Sequence, residues 1–238
     1  MTRIAILETG HNPAALEPRF GRFSTAFRNW LAAHGEEFRI ELDVYWVEGG
    51  EFPAQPGAYD GYIITGSAAG VYEDHAWLEP TREFLRAALA ADRKLLGVCF
   101  GHQLLADVLG GKVVKSDKGW GIGRHTYALH QDREWMDPPL GEISLLACHQ
   151  DQVVELPAGA EVLASSAFCE YAMFAVGDNV LTVQAHPEFS LDYANALYEH
   201  RRARFGDDVT DRGLSSLTAP TQHDVFARWA LRFLCGAL

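Results

Sequence analysis

Cysteine is scarce in this chain. Its 238 residues hold four, at Cys99, Cys148, Cys169 and Cys235, and none shares C-x-x-C spacing with another. That excludes a disulfide framework or a cysteine zinc site as the organising feature and leads us to expect reduced thiols in a cytoplasmic protein. Long hydrophobic runs are missing too. No segment approaches the ~18 apolar residues that cross a bilayer, and the opening apolar run stops at Glu8, too soon for a secretory signal. Positive charge is in deficit, with 20 Lys and Arg against 32 Asp and Glu, a net charge of −12. Nucleic acid and anionic membrane would both be repelled, so neither is expected as a partner. The ten histidines include no i, i+4 pair of the kind that seats a metal on a helix, so no metal is expected. No Gly-x-x-x-x-Gly-Lys phosphate loop occurs: Gly119-Trp120-Gly121-Ile122-Gly123 lacks the Lys-Ser/Thr that would complete one, and its spacing predicts a turn between strands.

What is present is an ordinary globular composition, 48% hydrophobic and 22% charged. The length suits one compact domain, or one domain with an appendage, and a large core needing no staples. Short apolar runs predict strands over 3–7, 61–65 and 94–98, and alternation predicts a half-buried strand over 38–46. Phe20, Phe23, Phe27, Trp30 and Leu31 recur at helical spacing, with Gly35 as the expected stop. Pro80 opens another helix, and 103–109 forms a third, closed by Gly110-Gly111. This β-α-β-β-α-β-α order is that of a doubly wound, mostly parallel α/β sheet. Later strands are expected over 143–146, 161–164, 172–176 and 180–185. Helices over 191–205 and 221–234 follow, joined by a polar linker over 206–220. The whole, 1–238, reads as a single domain with its core over about 1–190, an extra β-rich part, and a helical C-terminal extension over about 191–238.

Gly97-Val98-Cys99-Phe100-Gly101 has the form Gly-x-nucleophile-x-Gly at a strand-to-helix junction. That sharp turn exposes a nucleophile where small neighbours avoid clashes. The following helix directs N–H groups and partial positive charge at the thiol, which favours the reactive thiolate. Help of this kind is needed, since a free thiol of pKa ~8.5 is only about 3% ionised at pH 7. A buried structural cysteine after a strand is the competing reading. Two glycines where each costs about 1 kcal/mol tell against it. A base and an orienter are available in His186-Pro187-Glu188, because residues two apart in an extended segment share a side. For the oxyanion hole the amide of Phe100 serves by elbow geometry, and the small-residue loop from Thr65 to Gly70 offers the second donor.

The heptapeptide Gly97 to Gln103, the His186-Pro187-Glu188 pair and the Gly66-Ser67 loop together resemble the class I, triad-type glutamine amidotransferases. More narrowly, Ile64-Thr65-Gly66-Ser67 with Val71-Tyr72-Glu73-Asp74 and Trp77 looks like the stand-alone, γ-glutamyl-peptide-hydrolase-like branch. The resemblance implies the family's flavodoxin-like fold and a γ-glutamyl thioester on Cys99, with His186 as general base and acid and Glu188 as its orienter. It also implies an oxyanion hole from Gly66 and Phe100, and substrate contacts from Gln103 and Ser67. Further contacts would come from the Cys148-His149-Gln150-Asp151 turn, with Cys148, Gln150 and Asp151 near the amino-acid head. Neither metal nor organic cofactor is implied. Glutamine or a γ-glutamyl compound is the expected substrate, and a synthetase subunit taking up ammonia is a further partner to consider. The alternatives are a hydrolase of γ-glutamyl peptides or amines that needs no partner, and a regulatory binding protein without turnover. The basic run Glu199 to Arg204 reads as a solvated helix face or a docking patch.

Overall fold

A computed structural model describes residues 1–236. The first half alternates strand and helix: β1 (Thr2–Glu8), α1 (Glu17–Phe20), α2 (Phe23–Phe38), β2 (Ile40–Trp46), β3 (Gly61–Ile64), α3 (Leu78–Ala90), β4 (Lys94–Val98) and α4 (Phe100–Val108). Seven strands follow, β5 (Lys112–Lys115), β6 (Gly121–Leu129), β7 (Glu142–His149), β8 (Asp151–Glu155), β9 (Ala160–Ser165), β10 (Met173–Val176) and β11 (Val180–Val183). Four helices end the chain: α5 (Leu191–His200), α6 (Arg202–Phe205), α7 (Asp207–Ser216) and α8 (His223–Cys235).

Nine strands form one sheet in the order β2-β1-β3-β4-β11-β10-β9-β6-β7, and β5 pairs with β8 separately. From β2 to β11 neighbouring strands are parallel, and from β10 onward they are antiparallel. Inside the β2 edge, the parallel half is covered on both faces, which is why β1, β3, β4 and β11 are apolar without alternation. Ile4 and Ile6 of β1 face the layer of α2 and α8, where Trp30 stacks on Phe226. Ala5 and Leu7 face the other side, with Leu85 of α3 and Leu104 and Leu105 of α4. A third cluster joins Ile122 of β6 and Leu146 of β7 to Tyr193, Leu197 and Phe205. Trp229, Phe233 and Leu234 lie in the first layer, so the apolar stripe of the last helix covers core.

Several boundaries differ from expectation. The helix starting at Phe23 continues through Gly35 to Phe38, and Phe20 belongs to a separate short turn of helix. Phe38 is therefore helical, and β2 starts at Ile40 as a partly exposed edge strand. The turn at Gly119 is followed at once by β6, and β5, β6 and β8 have no counterpart among the expected strands. Helix 191–205 breaks at Arg201. The segment read as a polar linker folds as α7, which buries Thr210 and Gly213, sets Gly213 against Ile122 of β6, and packs Val209 and Leu214 on the edge of the third cluster.

Candidate active site

The site lies past the carboxyl ends of the central parallel strands, where open α/β sheets leave a crevice. Cys99 joins β4 to α4 with φ +53° and ψ −100°, a conformation disfavoured for any side chain. Its own N–H donates to Val183 O at 2.8 Å, and the Gly101 N–H donates to Thr65 O at 3.1 Å. The flanking glycines are needed for close approach. A Cβ on Gly97 would sit 2.5 Å from Gly101 O, and one on Gly101 would run into the carbonyl oxygen of Ile64. The elbow is thus wedged between the ends of β3 and β11.

His186 is reached by a different route. After β11 the chain runs on extended, and the His186 N–H donates to Leu146 O of β7 at 2.7 Å. Its Nδ1 lies 2.7 Å from Glu188 Oε1, both side chains being almost wholly buried. Phe189 stacks flat on the imidazole, centroids 3.9 Å apart at 11°. With Nδ1 committed to the carboxylate, Nε2 is left for the hydrogen bond to the Cys99 sulfur. Burial is the largest single influence on His186 and favours loss of its proton. Together, the charges of Cys99 and Glu188 and their hydrogen bonds outweigh it, and hold the imidazole well above its ordinary pKa.

Gly66 closes the third side. A Cβ there would come within 2.8 Å of His186 Cε1 and 3.8 Å of Cys99 Cβ, so only glycine lets this loop lie against the pair. Thr9 pins the loop: its hydroxyl donates to Thr65 O at 3.0 Å, and its N–H donates to Thr65 Oγ1 at 3.0 Å. Among the described residues, the amides of Gly66 and Phe100 have no protein acceptor. Phe100 is the first residue of α4, where N–H groups lack intrahelical partners.

A pocket of about 90 Å³ opens over Cys99. Ser67, Gln103, Cys148, Gln150 and Asp151 all line it, so the expected substrate contacts do converge. Gln103 is already engaged, its Nε2 donating to Asp151 O at 2.9 Å and to Gln184 Oε1 at 3.0 Å. Asp151 accepts from the Tyr72 hydroxyl at 2.9 Å, and burial raises its pKa. Burial likewise raises the Cys148 thiol, which Arg201 hydrogen-bonds. Sequence reasoning missed Lys115, Arg201 and Arg204 as pocket residues. Arg204 lies over the Trp120 ring, 4.8 Å from its centroid. Of the basic run only Arg202 behaves as a solvated face, pairing with Glu199, Asp207 and Asp211. Three arginines within four residues of an acidic chain were the available signal. The described residues include no group of His, Cys, Asp and Glu that could hold a metal, and no helix long and apolar enough to cross a membrane.

The profile of glutamine amidotransferase class-I matches residues 23–201, which is most of the chain. The protein belongs to this family. Gamma-glutamyl peptidase 3 of Arabidopsis thaliana is 32% identical over 179 residues, covering 72% of this chain and 70% of the relative. A gamma-glutamyl-L-1-hydroxyisopropylamide hydrolase of a Pseudomonas species is 28% identical over 230 residues, 87% of this chain and 75% of that one. Among solved structures, a glutamine amidotransferase from Thermotoga maritima superposes with a TM-score of 0.76 at 18% identity, with 98% of both chains covered, a likeness of fold. The mixed nine-stranded sheet is thus the class I amidotransferase architecture.

Proposed function

We propose that the protein hydrolyses γ-glutamyl amide bonds through a thioester on Cys99, with 1–238 acting as one unit. The observation that carries this is the His186 geometry: one nitrogen faces the elbow sulfur and the other is held 2.7 Å from a buried carboxylate. The sulfur adds to the γ-carbonyl carbon as its thiolate. The carbonyl oxygen becomes an oxyanion, which the Gly66 and Phe100 amides face. The C–N bond then breaks, the nitrogen takes its proton from His186, and ammonia or an amine leaves. Water enters, gives a proton back to His186 and attacks the thioester carbon, releasing glutamate and restoring Cys99. Glu188 keeps the ring oriented and stabilises the imidazolium.

The pocket supports an α-amino-acid head, since Lys115 and Arg204 suit a carboxylate while Glu73 and Asp151 suit an ammonium. The relatives named as peptidase and amide hydrolase favour leaving groups larger than ammonia. The test is glutamate release by the purified chain from glutamine and a panel of γ-glutamyl peptides and amines, with Cys99→Ala as the blank. Fast, Cys99-dependent cleavage of a peptide or amine with glutamine poor is the expected result. Slow cleavage of glutamine alone would point to a synthetase that takes up the ammonia, and activity surviving in Cys99→Ala would sink the mechanism.

A further inference from the structure

Beside the amino-acid pocket lies a second cavity of about 260 Å³, walled by the rings of Phe20, Phe23, Trp30, Phe189 and Tyr193. A constriction of about 20 Å³ lies between them. It shares Ser67, Cys148 and Arg201 with the amino-acid pocket, shares Phe23, Phe189 and Tyr193 with the ring-lined cavity, and is bordered by His186. In the reaction proposed above His186 protonates the leaving nitrogen, so whatever that nitrogen carries departs along the wall His186 forms. Ammonia needs no such space. Arg201 borders both the pocket and the constriction, and its hydrogen bond is to the Cys148 thiol. Among the described residues it pairs with no carboxylate. A guanidinium so placed matches a carboxylate, and a cavity of five rings matches a sixth.

Resting on that hydrolase reading, we propose that the leaving group is an aromatic amino acid. Its α-carboxylate meets Arg201 in the constriction and its ring enters the cavity, so the preferred substrates are γ-glutamyl dipeptides whose second residue is aromatic. The bond accounting is unchanged: the amide C–N bond breaks, the nitrogen takes a proton from His186, and the free amino acid leaves.

The experiment compares kcat/KM of the full chain on γ-glutamylphenylalanine, γ-glutamylglycine and γ-glutamylphenethylamine, the last lacking the carboxylate. Phenylalanine is expected to exceed glycine by tenfold or more. Ala26 also lines the cavity, and Ala26→Trp, which fills it, should erase that ratio by raising KM for the phenylalanine substrate. Ala26→Leu, a milder filling, serves if the tryptophan variant does not fold. Arg201→Gln should erase the advantage of phenylalanine over phenethylamine. Equal rates on the phenylalanine and glycine substrates in the unmodified chain, or a ratio that survives filling, would overturn the leaving-group assignment alone. No Cys99-dependent glutamate from any substrate, glutamine included, would overturn the hydrolase reading beneath it.

Discussion

At the scale of single residues, the site depends on backbone that most side chains avoid. Cys99 holds φ +53° while carrying the sulfur. A non-glycine residue in such a region costs about 1–3 kcal/mol, a cost that persists only where the surroundings over-determine the geometry. Here they do so through the Cys99 and Gly101 amide bonds and the two glycine contacts. The consequence reverses an ordinary ranking. Glycine normally destabilises a folded chain relative to alanine, yet at this position it relieves the strain. Cys99→Gly should therefore be more stable than Cys99→Ala by about 1 kcal/mol in urea unfolding, with both inactive. An alanine variant as stable as the glycine one would mean the turn stores no strain.

At the scale of elements, the crevice depends on how β1 hands over to α2. Glu8, at the end of β1, is buried, and its Oε1 accepts the Ser24 N–H at 2.8 Å while Oε2 pairs with Arg22. Its charge sits at the positive end of α2, an arrangement the helix dipole favours. Arg22 is half-exposed and adds little. Loss of the acceptor for a buried N–H dominates, so Glu8→Ala should cost about 1–3 kcal/mol. Glu8→Gln, which keeps one acceptor, should lose less. Denaturant midpoints of the two variants check this, and equal losses would place the effect in the charge rather than the hydrogen bond.

At the scale of the whole molecule, buried histidines set the pH profile of stability. His102 and His149 are buried and their pKa values are pushed down to about 3, mainly by burial. The unfolded chain binds protons there below about pH 6.5 while the folded chain does not. Stability therefore falls as pH drops from about 6.5 toward 3, by up to ~1.4 kcal/mol per pH unit for each group. His186 acts in the opposite sense. Its pKa is raised despite burial, because Cys99 and Glu188 favour the imidazolium. The stability it contributes is full below about pH 6.5 and is lost as pH rises through its folded value. Urea midpoints measured from pH 5 to 9 should peak near neutrality, and His102→Gln should flatten the acid side. An unchanged acid slope in that variant would mean His102 is charged in the folded state.

The parts legible in the sequence were those governed by short-range stereochemistry. Apolar runs marked β1, β3, β4 and β11 because strands covered on both faces must be apolar throughout. Gly97 and Gly101 marked the elbow because no other residue fits so close to a neighbouring backbone. His186 and Glu188 stand two apart on one extended segment, so their convergence is local as well. What stayed hidden was decided by distance along the chain. Asp151 meets Tyr72 across 79 residues, and Arg201 reaches the pocket because α5 ends there. The segment over 206–220 looked like a linker because its apolar residues are few: Val209, Leu214 and Leu217 only partly bury against the cluster around β6, and its fully buried positions are the small residues Thr210 and Gly213. The central parallel strands and the meeting of His186 with Glu188 beside the Cys99 elbow could thus be read from the chain alone, through backbone geometry that a few positions dictate. Which charges line the pocket and which rings wall the cavity beside it emerged with the folded packing, because those side chains come from elements whose meeting depends on the whole sheet.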